Sequence, residues 1–411
     1  MSTPQSNFVN GTLKAVNIAD IVDPQAIIAK TVAQDYKNEL AAGDNPTISI
    51  KIPGRGKVVE GKVLPGDFQQ QTNTIVSHHL TKKTIPIEIS ELDASTTIEA
   101  WTKEVMQPIK ENFSTDINRM VLKAILTGVD GHILKETADG KANFNDLSTL
   151  TAMLVKSKVT GKKWAALDPS IMAQVRTSGV NLFTGGTVAN DLYNSFDIAS
   201  YGGVEYIGTP DMDSVTYPSA FPTGTLSTTV PVANNSKTIT LSANITVEIP
   251  EGVLFTIANV FKVDAEGKEL KGQLKTFITE KSPAGQNVIN LKSPIVFSPD
   301  TVDSKARTQV KNVSALPATG AAISWKGTVN QTYLRGVLYA QNIAAIANRP
   351  LTDKGKQGSV TTTSLAGMAS LQLWERTGDM ANGDIWQSIS RLDAAFPLLG
   401  LGGVAYYVAA T

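Results

Sequence analysis

The segment from Thr96 to Gly128 constrains this chain most, because it reads as one helix longer than most globular proteins use. Thr96 followed by Glu99 makes a capping box, and Gly128 stands where a left-handed C-terminal stop is expected. The apolar residues change face along its length. At 100° per residue, Ile98, Trp101, Val105 and Ile109 cluster on one side. Phe113, Ile117, Met120, Val121 and Ala124 cluster about 110° further round, and the change falls beside Pro108, a kink-former. Asp116, Arg119 and Lys123 then occupy the face that was apolar. Such a helix either bridges two subdomains or lies within a single core, and the pattern alone fits both.

A chain of 411 residues can bury substantial cores, with roughly two or three domains as the prior. Basic and acidic residues are balanced at 37 each, so no overall charge argues for a strong grip on nucleic acid. Neutrality suits self-association better. The absence of cysteine excludes disulfides, thiolate metal sites and thiol nucleophiles, and fits maturation in a reducing cytoplasm. The opening residues carry neither a basic start nor an apolar run, so they do not read as a signal peptide, and no later stretch reads as a membrane span.

Residues 1–13 are polar, and residues 24–41 read as an amphipathic helix begun by Pro24 and stopped by Gly43. Between Thr47 and Ser90 the pattern turns to strands: Ile48, Ile50 and Ile52 alternate with polar residues, as do Ile85, Ile87 and Ile89. The polar excursion they bracket, Gly54 to about Thr81, has too little apolar content for a core of its own. It is expected to project as a long hairpin that touches another subunit. Beyond the long helix, a helix is expected over Asn145–Lys158 and strands over Lys163–Leu167 and Val204–Ile207. Asp168 caps a further helix with Pro169 behind it, ending near Gly179.

From about Asp213 the composition shifts to Thr, Val, Ser and Asn. Strands are expected at Lys237–Ser242, Asn244–Ile249, Leu254–Val263, Gln273–Glu280 and Val288–Lys292, closing as an inserted barrel or sandwich. Beyond about Lys311 helical text returns, notably Asn330–Ala347. Strands then follow at Ala369–Glu375, Asp384–Arg391 and Gly403–Val408. The whole reads as α+β.

Chemistry is hard to place. The 3 histidines are His78, His79 and His132, and none lies in a His-Glu-x-x-His run or beside a carboxylate at ligand spacing. His78 and His79 point to opposite faces of any strand that holds them. Gly54-Arg55-Gly56-Lys57 lacks the phosphate-loop pattern and precedes no helix. The acidic pairs Asp211 with Asp213 and Asp379 with Asp384 sit among turn formers, where capping is their role. Trp325, Trp374, Trp386, Tyr206, Tyr406 and Tyr407 lack an interleaved basic patch and read as core. No catalytic, cofactor-binding or metal-binding residue is assigned.

The order of these parts resembles the major capsid (coat) proteins of tailed double-stranded DNA bacteriophages. That family has an N-terminal arm, an extended loop, a long spine helix, and peripheral and axial subdomains. Here the matching parts are residues 1–45, 46–95, 96–128, 129–212 and 311–411. The β module at 213–310 resembles the insertion domain of a subgroup of short-tailed phage coat proteins. The closing text, Ser370-Leu-Gln-Leu-Trp-Glu-Arg, Ile385-Trp-Gln-Ser-Ile-Ser-Arg-Leu-Asp and Pro397-Leu-Leu-Gly-Leu-Gly-Gly-Val-Ala, is similar to that subgroup's ending. The resemblance implies a tailed-phage major capsid fold and a structural protein without enzymatic activity. It also implies self-assembly as hexamers and pentamers into an icosahedral shell around the phage genome. Implied partners are a scaffolding protein, the portal and packaged DNA through weak non-specific contact, with no membrane; the location is the virion, assembled in the bacterial cytoplasm. No Lys and Asn pair can be assigned to the crosslinking that some family members perform. The rival reading is an adhesive phage protein whose β module binds carbohydrate.

Overall fold

A computed structural model describes residues 26–33, 47–52, 74–89, 107–135, 140–158, 161–180, 200–264, 268–297, 311–348, 359–364, 370–377, 385–398 and 402–410. Strands β1 (Thr47–Ile52), β2 (Thr74–His79) and β3 (Thr81–Ile89) lead to helix α1 (Gln107–Gly128). Then come β4 (Gly131–Lys135), α2 (Phe144–Lys156), β5 (Lys163–Leu167), α3 (Pro169–Val180), β6 (Ser200–Tyr201) and β7 (Val204–Gly208). The β-rich run supplies β8 (Val215–Thr216), β9 (Ser236–Thr240), β10 (Leu254–Val263), β11 (Glu269–Ile278), β12 (Val288–Ile295) and β13 (Ile323–Trp325). The remaining strands are β14 (Thr332–Ala340), β15 (Ala344–Asn348), β16 (Ser359–Ser364), β17 (Ser370–Thr377), β18 (Ile385–Pro397) and β19 (Gly403–Ala409). The chain is α+β and divides into two compact units.

The first unit takes residues 1–51, 75–124 and 344–396. Its main sheet has the order β15-β18-β17-β16, with β3 also paired to β18. The long β18 is antiparallel to β3 from Ile385↔Ile89 to Asp393↔Thr81. β1 pairs with β2, which brings together the two sides of the polar excursion; residues 53–73 themselves lie outside the described residues. The helix expected over 24–41 is not formed where the chain is described. Only a 3₁₀ turn, Ile28–Thr31, is present, and Val32 is extended. Pairing overrides local propensity here: the Ala33 amide donates to the Ala344 carbonyl at 3.2 Å, and Ile346 donates to Ala33 at 3.1 Å.

Within α1, Ile109, Phe113, Ile117, Val121 and Ile125 are all buried at successive fourth positions, while Arg119 and Lys123 are exposed. The buried stripe begins at Ile109, directly after Pro108, and Arg119 and Lys123 stand on the face expected to turn polar in the second half. The residues of the other face, Ile98, Trp101 and Val105, lie outside the described residues. Gly128 ends the helix as its last residue and is not among the left-handed glycines, so the stop is not the expected positive-φ cap. On its partly buried side α1 meets Arg391 of β18. The Arg391 guanidinium, 0% exposed, donates to Asp116 Oδ2 and to the Phe113 carbonyl at 3.3 Å, and lies over the Phe113 ring. Lys83 of β3 reaches the same Asp116 oxygen at 2.6 Å.

The second unit takes residues 52–74, 125–343 and 397–411. Its backbone is a seven-stranded sheet in the order β4-β19-β14-β5-β7-β6, with β8 paired to β14. The expected helix over Asn330–Ala347 is instead β14, a short 3₁₀ turn and β15. β14 lies between β19 and β5, and from Arg335 to Ala340 every residue is buried. A strand covered on both faces reads as a continuous apolar run, which periodicity alone does not separate from a buried helix. Gly336 is required there, because a Cβ would come within 2.5 Å of Leu167 Cδ2.

Helices α2 and α3 pack Phe144, Leu147, Leu150, Leu154, Ile171, Met172 and Val175 against Leu167, Val204, Leu338, Val404 and Tyr406. α3 starts where it was expected, and α2 at Phe144, one residue before the expected Asn145. Asn143 and Asp146 form a capping box on α2, and Asp168 Oδ1 accepts from the Ser170 amide at 2.8 Å at the head of α3. Asp146 is also held by Lys135 of β4 at 2.9 Å and by the Tyr406 hydroxyl of β19 at 2.6 Å. Burial and that carboxylate push the Tyr406 phenol well up from its ordinary value.

The β module contains two small sheets, β11-β10-β13 and β12-β9. Single bridges close both seams: Thr279↔Leu291 joins β11 to β12, while Leu226↔Leu241 and Thr225↔Ala322 join β9 to β13 through the incoming chain. The two sheets are thus linked at both sides, and Ile239, Leu241, Phe255, Ile257, Phe277, Ile289 and Leu291 are buried. The strand expected at Asn244–Ile249 is irregular chain. Ile245 and Ile249 are buried there, and the hydrogen bonds go to Gln286 and Ser282 rather than along a ladder. β13 belongs to the same sheet as β10, so strands of the module come from both sides of residue 310.

Candidate functional site

Where α1 gives way to β4, Asp130 is carried beneath the β module with only 3% of its surface exposed. Lys275 of β11 contacts its Oδ1, and Lys262 of β10 stands 3.6 Å from its Oδ2 and donates to the Ser157 hydroxyl at 3.3 Å. The irregular register of β10 brings Lys262 inward. Between Thr256 and Phe261 the pairing with β11 shifts, Asn259 adopts φ 60°, and beyond it Phe261 is only partly buried while Lys262 is buried. A regular alternation from Phe255 and Ile257 would have turned Phe261 inward instead.

The site holds two buried ammonium groups against one buried carboxylate. Burial pushes Lys262 down to about 8 and Lys275 down to about 7. Asp130 contacts Lys275 directly and Lys262 at the longer distance of 3.6 Å, so among the described residues the cluster holds one more lysine than carboxylate. His132, two residues on, is held neutral: burial first, then Lys262 and Lys292, push it down to about 3. Its Nδ1 is buried with no hydrogen-bond partner in the structure.

A cleft of about 340 Å³ opens onto this cluster. Asp130, Gly131, His132 and Lys262 line its floor, Thr149, Ala152, Met153 and Lys156 of α2 one wall, and Gln273, Leu274 and Thr276 of β11 the other. Two cations and a neutral imidazole make it a poor place for a metal ion and a suitable one for an anion. Among the described residues no group of three or more His, Asp or Glu side chains could hold a metal, and no helix is long and apolar enough to cross a membrane.

Sequence reasoning named His132 but neither Asp130 nor the two lysines, because nothing local to Asp130 announces partners more than a hundred residues away. The other residues weighed there do not converge. His79 is exposed, and Asp211 and Asp213 serve the loop before β8, where the Asp213 carbonyl accepts from Arg335 Nε at 2.5 Å. Trp325 stacks on Phe221 at 5.5 Å and donates to the Pro222 carbonyl. Asp379, Asp384, the 54–57 turn and the side chains of His78, Trp374 and Trp386 lie outside the described residues.

The surplus charge has a measurable consequence. A lysine whose folded pKa is lowered destabilises the fold while both states are charged, and that cost disappears as pH rises from the folded value of about 8 towards 10.5. Lys262→Met is therefore expected to stabilise the chain by about 1–3 kcal/mol at pH 7. The difference from wild type should close by about pH 10 in parallel thermal melts. A variant less stable than wild type at pH 7 would show that Lys262 is compensated within the subunit.

Residues 208–386, from the end of β7 into β18, match the family described as P22 coat protein, gene protein 5. No curated protein sequence matches the chain. Among solved structures the chain is similar to one from Mycobacterium phage Che8, with 10% identity over 92% of this chain and 90% of that one and a TM-score of 0.42. It is also similar to the capsid of Ralstonia phage GP4, with 8% identity over 93% and 87% and a TM-score of 0.41. The encapsulin SrpI complex of Synechococcus elongatus gives 9% identity over 90% and 84% and a TM-score of 0.40. These are likenesses in the course of the chain, without residue-by-residue correspondence. Residues 208–386, which hold the β module and the strands beyond it, are thus the part of the chain that is similar to the P22 coat protein family.

Proposed function

We propose that many copies of this chain assemble as hexamers and pentamers into the icosahedral shell that encloses a phage double-stranded DNA genome. The observation that carries this reading is the family match over residues 208–386. The linked sheets of the β module and a formal net charge of +0 support it, since neither calls for a tight grip on nucleic acid. In this reading residues 1–45 are an arm, 46–95 an extended loop, 96–128 the spine, 129–212 and 311–411 the peripheral and axial parts, and 213–310 the insertion, with Ile323–Trp325 completing its sheet. A scaffolding protein guides assembly in the bacterial cytoplasm, the portal occupies one vertex, and packaged DNA is touched weakly and without sequence preference. No catalytic step is needed. The loop and the arm lie over neighbouring subunits and lock the shell.

Negative-stain electron microscopy of the chain, expressed alone and with its neighbouring genes, tests the proposal; regular shells, tubes or polyheads are expected. Deleting residues 55–72 keeps the paired strands β1 and β2 and should leave a folded subunit that makes no stable shells. A stable monomer in every preparation of the full chain would remove the assembly reading. Normal shells from the deletion would remove the interlocking role of the loop alone.

A further inference from the structure

We infer that the cleft between α2 and β11 is a carboxylate site, filled on assembly by an aspartate or glutamate side chain of a second copy of this chain. The inference rests on the shell-forming reading above. Three observations inside the subunit point to it. The floor of the cleft carries two buried lysine side chains against a single buried carboxylate, Asp130, among the described residues, so the formal count is one lysine in excess. The walls add the exposed Lys156 and the half-buried Thr276. The β11 wall also carries Leu274, 43% exposed, an apolar residue suited to the methylene stem of an acidic side chain rather than to a bare inorganic ion.

Buried surplus charge is costly unless paired, and a site that is unbalanced in the free subunit but balanced in the assembled one makes association more favourable. An occupant from a second copy fits the composition: the chain has as many acidic as basic residues, so a cationic cleft on one copy has acidic groups on the next to receive. Burial pushes both lysines down from their ordinary value, in agreement with an under-compensated site in the single subunit.

The site predicts an opposed pair of effects that a purely structural role does not produce. Lys262→Met should give a more stable subunit and a less stable shell. Lys156→Glu, at an exposed position, should leave the subunit melting temperature in place and raise the concentration of subunit needed for shells at least tenfold. A photo-crosslinking benzoylphenylalanine in place of Leu274, in assembled full-length chain, should join to a second copy at a peptide that contains Asp or Glu. Wild-type shells together with variant shells that form at the same concentration overturn the inference and leave the shell reading standing. Crosslinks confined to the same chain, or to another protein, also overturn it. A wild-type chain that makes no shells overturns both.

Discussion

Asp130→Asn is expected to destabilise the unit that carries the β module by about 3–5 kcal/mol at pH 7, the typical cost of removing one partner from a buried ion pair. Asparagine keeps the size of the side chain but removes the charge that pairs with Lys275 and Lys262, which are 7% and 4% exposed. Both lysines would respond by losing protons, having already been pushed down by burial. The sign follows. A lysine whose folded pKa lies below its unfolded value costs stability at low pH and stops doing so as pH rises, so the Asn variant should recover ground between about pH 7 and 10. Thermal or urea melts at pH 7 and pH 9.5 would read this. Asp130→Asn combined with Lys275→Met should be less destabilised than the sum of the two single variants, because the second change removes a charge the first has stranded. Equal loss at both pH values would mean that Asp130 acts by packing alone.

Arg391→Met should cost a similar 3–5 kcal/mol, with the opposite dependence on pH. Arg391 and Asp393 are both 0% exposed, with Arg391 Nε 3.2 Å from Asp393 Oδ2 but off the direction of a hydrogen bond. Burial already pushes the Asp393 carboxyl up, and Arg391 is the first of the charges that hold it down. Without the arginine that carboxyl rises further. A carboxyl with a raised folded pKa binds its proton more tightly in the native state, so the variant should be closest to wild type near pH 5 and fall away as pH increases. Arg391→Lys keeps the charge but cannot span Asp116, the Phe113 carbonyl and Asp393 together, and should land between the two. A pH-independent loss would show that the Phe113 stacking and carbonyl contacts carry the effect.

Reading the chain from its residues succeeded where structure is set locally. The turn at Asp168 and Pro169 is short-range and α3 begins where it was expected, while α2 begins at Phe144, one residue before the expected Asn145, on a capping box at Asn143 that the reading did not name. β10, β12 and β19 show apolar stretches bounded by turn formers, and they too were legible. The failures share a cause. β14 and β15 were taken for a helix because the run from Leu334 to Ala347 is rich in alanine and leucine, and only the neighbours of β14 (β19 and β5) and of β15 (β18), from distant parts of the chain, settle the matter. The first helix was broken by pairing with Ala344 and Ile346. Lys262 faces inward through a bulge that no pattern of residue types announces. Absence of a catalytic motif was legible; the ionic cluster at Asp130 was not, since Asp130, Lys262 and Lys275 meet only in three dimensions.

The place of β19 in the large sheet carries a consequence for the timing of synthesis. Among the described residues β4 pairs only with β19, in parallel, so residues 131–135 wait for residues 403–409 before that pairing can form. At roughly 5–20 residues per second on the ribosome, that wait is on the order of 15–50 s. A nascent chain cannot finish this sheet, and a chain cut short before β19 leaves both β4 and one side of β14 open. The arrangement works as a check on synthesis: the sheet closes only once residues 403–409 have been made.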